Sequence, residues 1–433
     1  MYCQYLLQGS PFLVFEILLQ RYIFLMNKVY LCNVKYSIHL ILLVFLSIKS
    51  TCIHADNMSV TESNDSIEIS LLTCYPGDEV YSLYGHTAIR YKDHSKGIDL
   101  AINYGVFSFD KPFFVPRFVL GMTDYEMGII PFSIFCEEYI RENRTVIQQT
   151  LNLTNKEKQA IISALGKNFL PENRVYRYNY FYDNCTTRAR NILTENLNGA
   201  VEYIDIQGVY PSYRELIHEY NEESAWARFG NDLLLGFKSD KNTDIESQQF
   251  LPINLMNDFS KAKIIDSNGK SRPLVARTTM PVIAEKHTCK KAFPLRPSEC
   301  AWILFAFTIV LTAIEIFSRK RMWIFDTIMM TLVGLAGMIP FVMLFSQLPT
   351  TNANLQLILL NPIPLFFIWH VIKKARNKEK CKFWTAALIF IILFFIAGII
   401  QNYAEGMYIL ALSLLIRVLS NIATERKYIN IQS

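Results

Sequence analysis

Two side chains in the sequence have the chemistry of a nucleophile and its base. Cys185, in "YFYDNCTTRARNIL", follows Asp183 and Asn184 and opens a segment of good helix formers. A cysteine at a helix start lies at the positive end of the helix dipole, which lowers the thiol pKa and favours the thiolate. His86, in "LYGHTAIRY", begins a predicted strand directly after a glycine. We therefore predict that His86 deprotonates Cys185 for attack on a carbonyl.

The sequence leaves other roles open for both residues. Cys185 could be a small buried residue, or form a disulfide with Cys74 or Cys136, and Asn184 in "NCT" could be a glycosylation acceptor. His86 taken alone could be a surface or capping histidine. The pairing of a strand histidine with a cysteine at a strand-to-helix junction favours the catalytic interpretation.

A third polar group should orient the imidazole. Asn103, in "AINYG", is the first candidate, because an adjacent strand could place it beside His86; Asp99 is the alternative. Backbone N–H groups at the helix start could hold an oxyanion. We predict oxyanion or supporting roles for Asn184, Asp183 and Tyr84, and substrate contacts for Tyr104, Tyr125 and Arg188.

The segment that carries these residues has the pattern of an α+β domain. The predicted strands are Ile67–Cys74, Thr87–Tyr91, Ile98–Tyr104, Arg144–Leu153 and Arg174–Tyr182. The predicted helices are Ser133–Arg141, Thr154–Phe169 with a capping box, Cys185–Leu197, Ser212–Tyr220 and Leu251–Ala262. We expect residues 56–297 to form an antiparallel sheet with flanking helices.

The C-terminal part, residues 298–433, has the composition of an all-α membrane domain. Its five apolar runs are Ala301–Phe317, Trp323–Phe345, Leu355–Ile372, Phe383–Ile400 and Met407–Leu419. Lys and Arg follow the first, third and fifth runs, whereas residues 346–354 and 401–406 contain none. This alternation predicts five spans with residues 56–297 outside and the C-terminus in the cytoplasm. Arg417, in the last run, is expected to snorkel.

The N-terminus has the pattern of an export signal. A basic stretch from Lys28 to Lys35 precedes the apolar run Ile38–Ile48 and the small residue Ala55. We therefore assign residues 1–55 to a leader. Residues 1–25 lack this pattern; we interpret them as translation from an upstream start, with an additional hydrophobic anchor as the alternative.

The charge pattern gives no sign of a nucleic-acid partner. The formal net charge is +5, and eleven Lys and Arg residues lie in the three predicted cytoplasmic segments. The outward domain is therefore not basic overall. The cysteines show no CxxC and no zinc-like spacing, so we predict neither a metal nor a cofactor.

Several stretches together resemble a known family, the Lnb-type lipoprotein N-acyltransferases of diderm bacteria. They are "LLTCYPGDEVYSLYGHTAIRYKD", "AINYGVFSF", "YFYDNCTTRARNIL", "RFGNDLLLG", "QQFLPINL" and "NANLQLILLNPIPL", and the similarity covers roughly residues 68–425. Tyr84 stands where Phe is expected before Gly-His, and Leu348-Pro349 where His-Pro is expected. The second difference concerns an outer loop and not the dyad.

The resemblance implies a fold and a reaction. The fold would be a permuted papain-like (NlpC-like) domain facing the periplasm, joined to a domain in the bacterial inner membrane. Cys185 would take an acyl chain from a phospholipid as a thioester and pass it to the α-amine of a diacylated lipoprotein. Independently of the resemblance, the aromatic residues of the loop Tyr104–Phe118 suit either the membrane interface or ordinary core packing. A membrane-tethered cysteine peptidase or amidase is the alternative enzyme, and a ligand-binding sensor is the non-catalytic one.

Overall fold

The computed structural model of the chain describes residues 66–432, apart from residues 78, 80–81, 108–111, 206–207, 223 and 286–292. The predicted leader, residues 1–55, and Cys289 lie outside the described residues. In the described part, the predicted α+β domain with an antiparallel sheet is observed, and apolar helices follow it.

Seven antiparallel strands form the main sheet. They are β1 (Ile67–Cys74), β2 (His86–Asp93), β3 (Ile98–Val106), β4 (Asp124–Pro131), β5 (Val146–Leu151), β6 (Val175–Arg177) and β10 (Val275–Val282), in the order β10-β5-β1-β2-β3-β4-β6. β1 lies in the interior of the sheet and is buried on both faces. The strands β7 (Ala200–Glu202), β8 (Lys263–Ile265) and β9 (Ser271–Pro273) form a second, small sheet.

Helices cover both faces of the main sheet. They are α1 (Phe114–Val119), α2 (Phe132–Arg141), α3 (Asn155–Phe169), α4 (Cys185–Glu195), α5 (Tyr213–His218), α6 (Ala225–Leu234) and α7 (Pro252–Lys261). On one face, apolar residues of β1 and β3 pack against α3, α4 and α7. On the other face they pack against α2. The predicted capping box of α3 is confirmed: Thr154 accepts from the Glu157 N–H, and the Glu157 carboxylate accepts from the Thr154 N–H.

The prediction of one long strand over Arg174–Tyr182 is wrong. Only Val175–Arg177 is a strand, and the chain then turns sharply at Asn179. The Asn179 Oδ1 accepts from the N–H groups of Phe181 and Tyr182, and its backbone pairs with Asp183. An asparagine that bonds the backbone two residues on forms a turn, and this turn delivers the chain to α4.

The apolar helices are α8 (Pro297–Ser318), α9 (Trp323–Met343), α10 (Ile363–Arg376), α11 (Lys382–Ala397) and α12 (Met407–Gln432). Within the described residues, four segments are long and apolar enough to cross a bilayer, namely Pro297–Ser318, Trp323–Met343, Leu355–Arg376 and Met407–Arg426. α11 has 16 residues, or about 24 Å of helix, against a hydrocarbon core of about 30 Å. The structure therefore supports four candidate spans and not clearly the five predicted.

The expectation that Arg417 snorkels is wrong. Its side chain is 2% exposed and forms ion pairs with Asp326 of α9, at 2.7 Å, and Glu315 of α8, at 2.6 Å. It also donates to Thr312 at 2.9 Å. Burial between two carboxylates compensates the guanidinium charge more fully than a reach to the interface would. Arg417 thus joins three helices.

We expect Arg417→Met to destabilise the protein by about 3–5 kcal/mol, because it leaves Asp326 and Glu315 as uncompensated buried charges. The measurement is thermal unfolding of the detergent-purified chain. Arg376→Met, at the exposed end of α10, is the matched control and should unfold like the wild type. Equal unfolding of Arg417→Met and wild type would contradict the prediction.

Residues 232–240 of the α+β domain pack against loops at one end of the helix bundle. The buried side chains of Asn354, Gln356 and Gln401 donate to backbone carbonyls of Leu233, Asp232 and Leu235 at 2.8, 2.7 and 3.1 Å. The Gly236 N–H donates to the Thr350 carbonyl. A Cβ at Gly236 would collide with the Ala353 carbonyl, so only glycine fits this approach.

We call this set of contacts the docking network. It holds both loops of the bundle that lack Lys and Arg, 346–354 and 401–406, at the same end as the α+β domain. All described residues belong to one compact unit.

Candidate active site

The structure brings His86, Cys185 and Asn103 together, although they lie on three separate elements. His86 is the first residue of β2, Cys185 the first of α4, and Asn103 lies on β3 next to β2. The His86 Nε2 is 3.1 Å from the Asn103 Oδ1. With Nε2–H donating to Asn103, Nδ1 is the ring nitrogen left to accept the Cys185 proton, and the charges of the two side chains act on each other.

The electrostatics of the pair favour the charged forms. Burial raises the pKa of the Cys185 thiol, but the adjacent His86 charge and hydrogen bond, with the Thr87 N–H and the Thr186 hydroxyl, lower that pKa below its usual value. Burial lowers the pKa of His86, but Cys185 and the Asn103 hydrogen bond raise it above its usual value. Opposite shifts of this kind are those of a thiolate–imidazolium pair.

Two threonines that the sequence analysis missed hold this pair. Thr87 follows His86, Thr186 follows Cys185, and their buried hydroxyls are 3.0 Å apart. The Thr186 hydroxyl is also 3.8 Å from the Cys185 Sγ. Gly105, at φ 89°, brings the β3 backbone close to the cysteine, since a Cβ there would lie 3.8 Å from the Cys185 Cβ. The sequence signal that could have identified these threonines is that each directly follows one of the two predicted catalytic residues, as "HT" and "CT".

Asn184 is the N-cap of α4, as its position predicted. Its Oδ1 accepts from the N–H groups of Thr186 and Thr187, both at 2.9 Å. Its Nδ2 donates to the carbonyls of Tyr180 and Phe250. All of its polar atoms are therefore engaged with the backbone, and it has no donor to offer an oxyanion. Of the first three N–H groups of α4, only that of Cys185 is outside this cap.

We expect Asn184→Ala to destabilise the protein by about 1–3 kcal/mol, because it removes the cap and leaves two buried carbonyls without their donors. Asn184→Asp keeps the cap acceptor but sets a buried carboxylate oxygen against the same two carbonyl oxygens, so it should not restore the stability. Chemical denaturation of the full chain measures both, with Asn191→Ala on the same helix as the control. An Asn184→Ala protein as stable as the control would contradict this role.

Both acidic residues that were predicted for the site, Asp183 and Asp99, have arginine partners. Asp183 binds Arg188 through both oxygens, at 2.6 and 2.7 Å, and Arg188 stacks on the Tyr176 ring at 3.5 Å. Asp99, the alternative orienting group, binds Arg90 at 2.7 and 2.5 Å instead of approaching His86. Asp183 and Arg188 thus brace the loop before α4, and Asp99 is not the third member.

Tyr84 is tied to the docking side of the domain. Its hydroxyl accepts from Asn221 at 2.8 Å and from Asn231 at 2.6 Å. Asn231 lies on α6, whose end enters the docking network. Tyr84 precedes Gly85, at φ 79°, and His86, so it anchors the turn before the histidine.

The two tyrosines predicted to contact substrate lie inside the domain. Tyr104 is 1% exposed, and its hydroxyl accepts from Asn168. Tyr125 is buried and stacks on Tyr178 with ring centroids 4.3 Å apart. Both tyrosines belong to the same buried cluster as Cys185 and are closed to solvent. In the aromatic loop, Phe113 and Phe118 are exposed.

Tyr176 is a polar group that the sequence analysis missed. Its ring is buried, and within the described part of the chain its hydroxyl has no hydrogen-bond partner. This hydroxyl and the Cys185 Cβ lie on the same side of Gly105, 3.9 and 3.8 Å from the position of an added Cβ. The neighbouring Tyr180 hydroxyl is also without a partner among the described residues.

The remaining alternatives for Cys185 can be compared with the structure. Cys74, Cys136, Cys185, Cys300 and Cys381 are all free thiols, so neither predicted disulfide of Cys185 forms. Asn184 is 3% exposed and does not present a glycosylation site. Cys185 is buried, as the packing alternative expected, but its sulfur is hydrogen-bonded to a histidine. Burial raises the pKa of Cys74 to about 12, so that thiol is inert.

Comparison with known proteins identifies both halves of the chain. A family model described as the Lnb N-terminal periplasmic domain matches residues 56–221. A second, described as the Lnb transmembrane domain, matches residues 288–428. No curated protein and no solved structure gives a match. The two models together match most of the chain, the periplasmic domain first and the transmembrane domain after it. The chain therefore belongs to the Lnb family.

Proposed function

We propose that this protein is a lipoprotein N-acyltransferase. It moves an acyl chain from a membrane phospholipid, through a thioester on Cys185, to the α-amine of a diacylglyceryl-cysteine lipoprotein. The observation that carries this proposal is the His86–Cys185 pair, set in a domain that the docking network fixes to the end of an apolar helix bundle.

In the first half-reaction, the Cys185 thiolate attacks an ester carbonyl of the phospholipid. The Cys185 N–H and the Tyr176 hydroxyl are the donors proposed for the tetrahedral oxyanion. When the intermediate collapses, the C–O bond breaks and the lysophospholipid alkoxide takes the proton of the His86 imidazolium. The acyl chain remains on the sulfur as a thioester.

In the second half-reaction, the lipoprotein α-amine attacks the thioester carbonyl. His86, now neutral, accepts the proton of the amine, the C–S bond breaks, and the thiolate–imidazolium pair is restored. Asn103 holds Nε2 of the ring through both steps, so that Nδ1 stays directed at the sulfur. The product is an amide-linked third acyl chain.

The location of the site suits two substrates that live in a membrane. The docking network holds the thiol domain against one end of the apolar helices, which supports a position at the bilayer surface, where both lipids are concentrated. Phe113 and Phe118 are exposed near Leu120, whose carbonyl accepts from Gln347 of the bundle. We propose an inner-membrane protein with a permuted papain-like periplasmic domain, a lipid-facing aromatic loop and a cytoplasmic C-terminus.

The test is reconstitution of the purified full chain with a phospholipid and a diacylated lipopeptide. We expect a lipopeptide mass higher by one acyl chain, and a hydroxylamine-sensitive acyl group on Cys185 when the lipopeptide is omitted. A chain that cleaves cell-wall peptides and leaves the lipopeptide unchanged would be the peptidase or amidase. In that case the transferase proposal is wrong.

A further inference from the structure

A cavity in the helix bundle lies far from the thiol site. It has a volume of about 300 Å³ and is bounded by α9, α10, α11 and α12. Its wall residues from α9, including Asp326 and Val333, belong to the first half of that helix, which begins at the end away from the α+β domain. Ile358, Leu359 and Asn361, which follow Gln356 of the docking network, also line it, so the cavity extends from that segment to the end of the bundle remote from Cys185, where Lys382 lies.

The wall is apolar except at one end. Ala387, Ile391 and Leu414 line its depth, and the exposed rings of Phe367 and Phe390 at its rim open it sideways toward lipid. An empty apolar space with a lateral opening in a membrane bundle suits a hydrocarbon chain.

Asp326, Asn361, Lys382 and Arg417 also line the cavity, and Asp326, Asn361 and Arg417 are hydrogen-bonded within the protein. The buried polar group that differs from them is Trp384. It is 3% exposed and lines the cavity, and among the described residues no acceptor lies within hydrogen-bond distance of its Nε1. A buried indole N–H usually has a partner, because burial removes it from water without replacing the lost hydrogen bond. An occupant with an acceptor oxygen at this level would replace that hydrogen bond.

The order of residues along α11 matches the order of groups in a glycerophospholipid. Lys382 is exposed at the mouth, Trp384 follows one half-turn later, and Ile391 lies deeper. At 1.5 Å per residue, Trp384 is about 3 Å and Ile391 about 14 Å below Lys382. A phosphate, an ester carbonyl and an acyl chain have the same sequence of depths. Lys373, Lys374 and Arg376 at the end of α10 add positive charge at this level.

We propose that this cavity binds a glycerophospholipid from the leaflet remote from the thiol domain. One acyl chain fills the cavity, its ester carbonyl accepts from the Trp384 Nε1, and the phosphate lies beside Lys382. This lipid is separate from the acyl donor, and the proposal does not depend on the chemistry at Cys185.

The experiment compares two lipids that differ only at the ester. Full-length Cys185→Ala protein, which cannot consume the probe, is titrated in detergent with dioleoyl-phosphatidylglycerol and with its diether analogue, and bound lipid is counted by native mass spectrometry. We expect about fivefold tighter binding of the diester, the effect of one neutral hydrogen bond. Trp384→Phe should abolish this preference, and Ala387→Phe, which fills the cavity, should remove one bound lipid of either kind.

Trp302→Phe is the matched control, because Trp302 is exposed on α8 and does not line the cavity. Equal binding of diester and diether to the unchanged tryptophan, or a preference that survives Trp384→Phe, would overturn the proposal. So would free oleate competing as well as the diester, which would indicate a fatty-acid site. The diester–diether comparison needs no cavity variant, so misfolding of a variant leaves the test intact.

Discussion

Replacing Cys185 by alanine is expected to lower the rate of acyl transfer by a factor of about 10⁴ or more. The substitution removes the sulfur that forms the thioester and leaves the cap of α4, which Asn184 provides, in place. Cys185→Ser should also be nearly inactive, because the hydroxyl is far harder to ionise than the thiol. The measurement is the initial rate of lipopeptide N-acylation, together with the acyl-enzyme mass.

Cys136→Ala is the matched control for this experiment. Cys136 is a free thiol on α2, on the opposite side of the sheet from α4, and burial raises its pKa. Its loss should leave the rate within about twofold of the wild type, the range of an ordinary conservative change. A Cys185→Ala protein that transfers as fast as Cys136→Ala would exclude a covalent route through Cys185.

Replacing His86 by alanine is expected to raise the pKa of the Cys185 thiol and to slow transfer by about 10³-fold. His86 is the group that lowers this thiol pKa most, and burial, which raises it, would then act without that opposition. Alkylation by iodoacetamide reports the thiolate directly. In the wild type its rate should rise with pH with a midpoint below 9.0, the ordinary pKa of a thiol.

In His86→Ala the midpoint should move above pH 9.0, so that alkylation at pH 7 falls by about tenfold for each unit by which the thiol pKa rises. Asn103→Ala should move it in the same direction by less, because Asn103 raises the pKa of His86 by a hydrogen bond. His94→Ala is the control, since His94 lies at the exposed end of β2 beside Glu68. An unchanged alkylation profile in His86→Ala would show that His86 does not set the thiol pKa.

The features of the site that depend only on residues close together in the sequence were predictable. A cap residue before a cysteine and a capping box before α3 depend on neighbours within a few positions, and such patterns are visible in one chain. The choice between Asn103 and Asp99 was not, because it depends on strand register. Ala88 pairs with Asn103, which brings its amide to the histidine, whereas Asp99 lies where Arg90 reaches it.

Contacts between distant segments were beyond the sequence alone. Tyr84 and Asn231 are 147 positions apart, and nothing in their own surroundings indicates that they meet. The prediction for Arg417 was wrong because an arginine near the end of an apolar run usually reaches water. Its two carboxylate partners lie on other helices, so the residues around it in the sequence do not reveal them. The alternation of tyrosines also predicted too long a strand before Cys185. The Asn179 side chain bonds the N–H groups of Phe181 and Tyr182 and forms a turn, which the alternation does not indicate.

The docking network has a consequence for how the protein loses its structure. Separating the periplasmic domain from the bundle would leave the buried amides of Asn354, Gln356 and Gln401 without the carbonyls that they now bond. Each part alone would therefore expose or leave unpaired polar groups that are buried and hydrogen-bonded where the two parts meet. We expect the two to melt in one cooperative transition, so that damage deep in the bundle would also dismantle the thiol site at its far end.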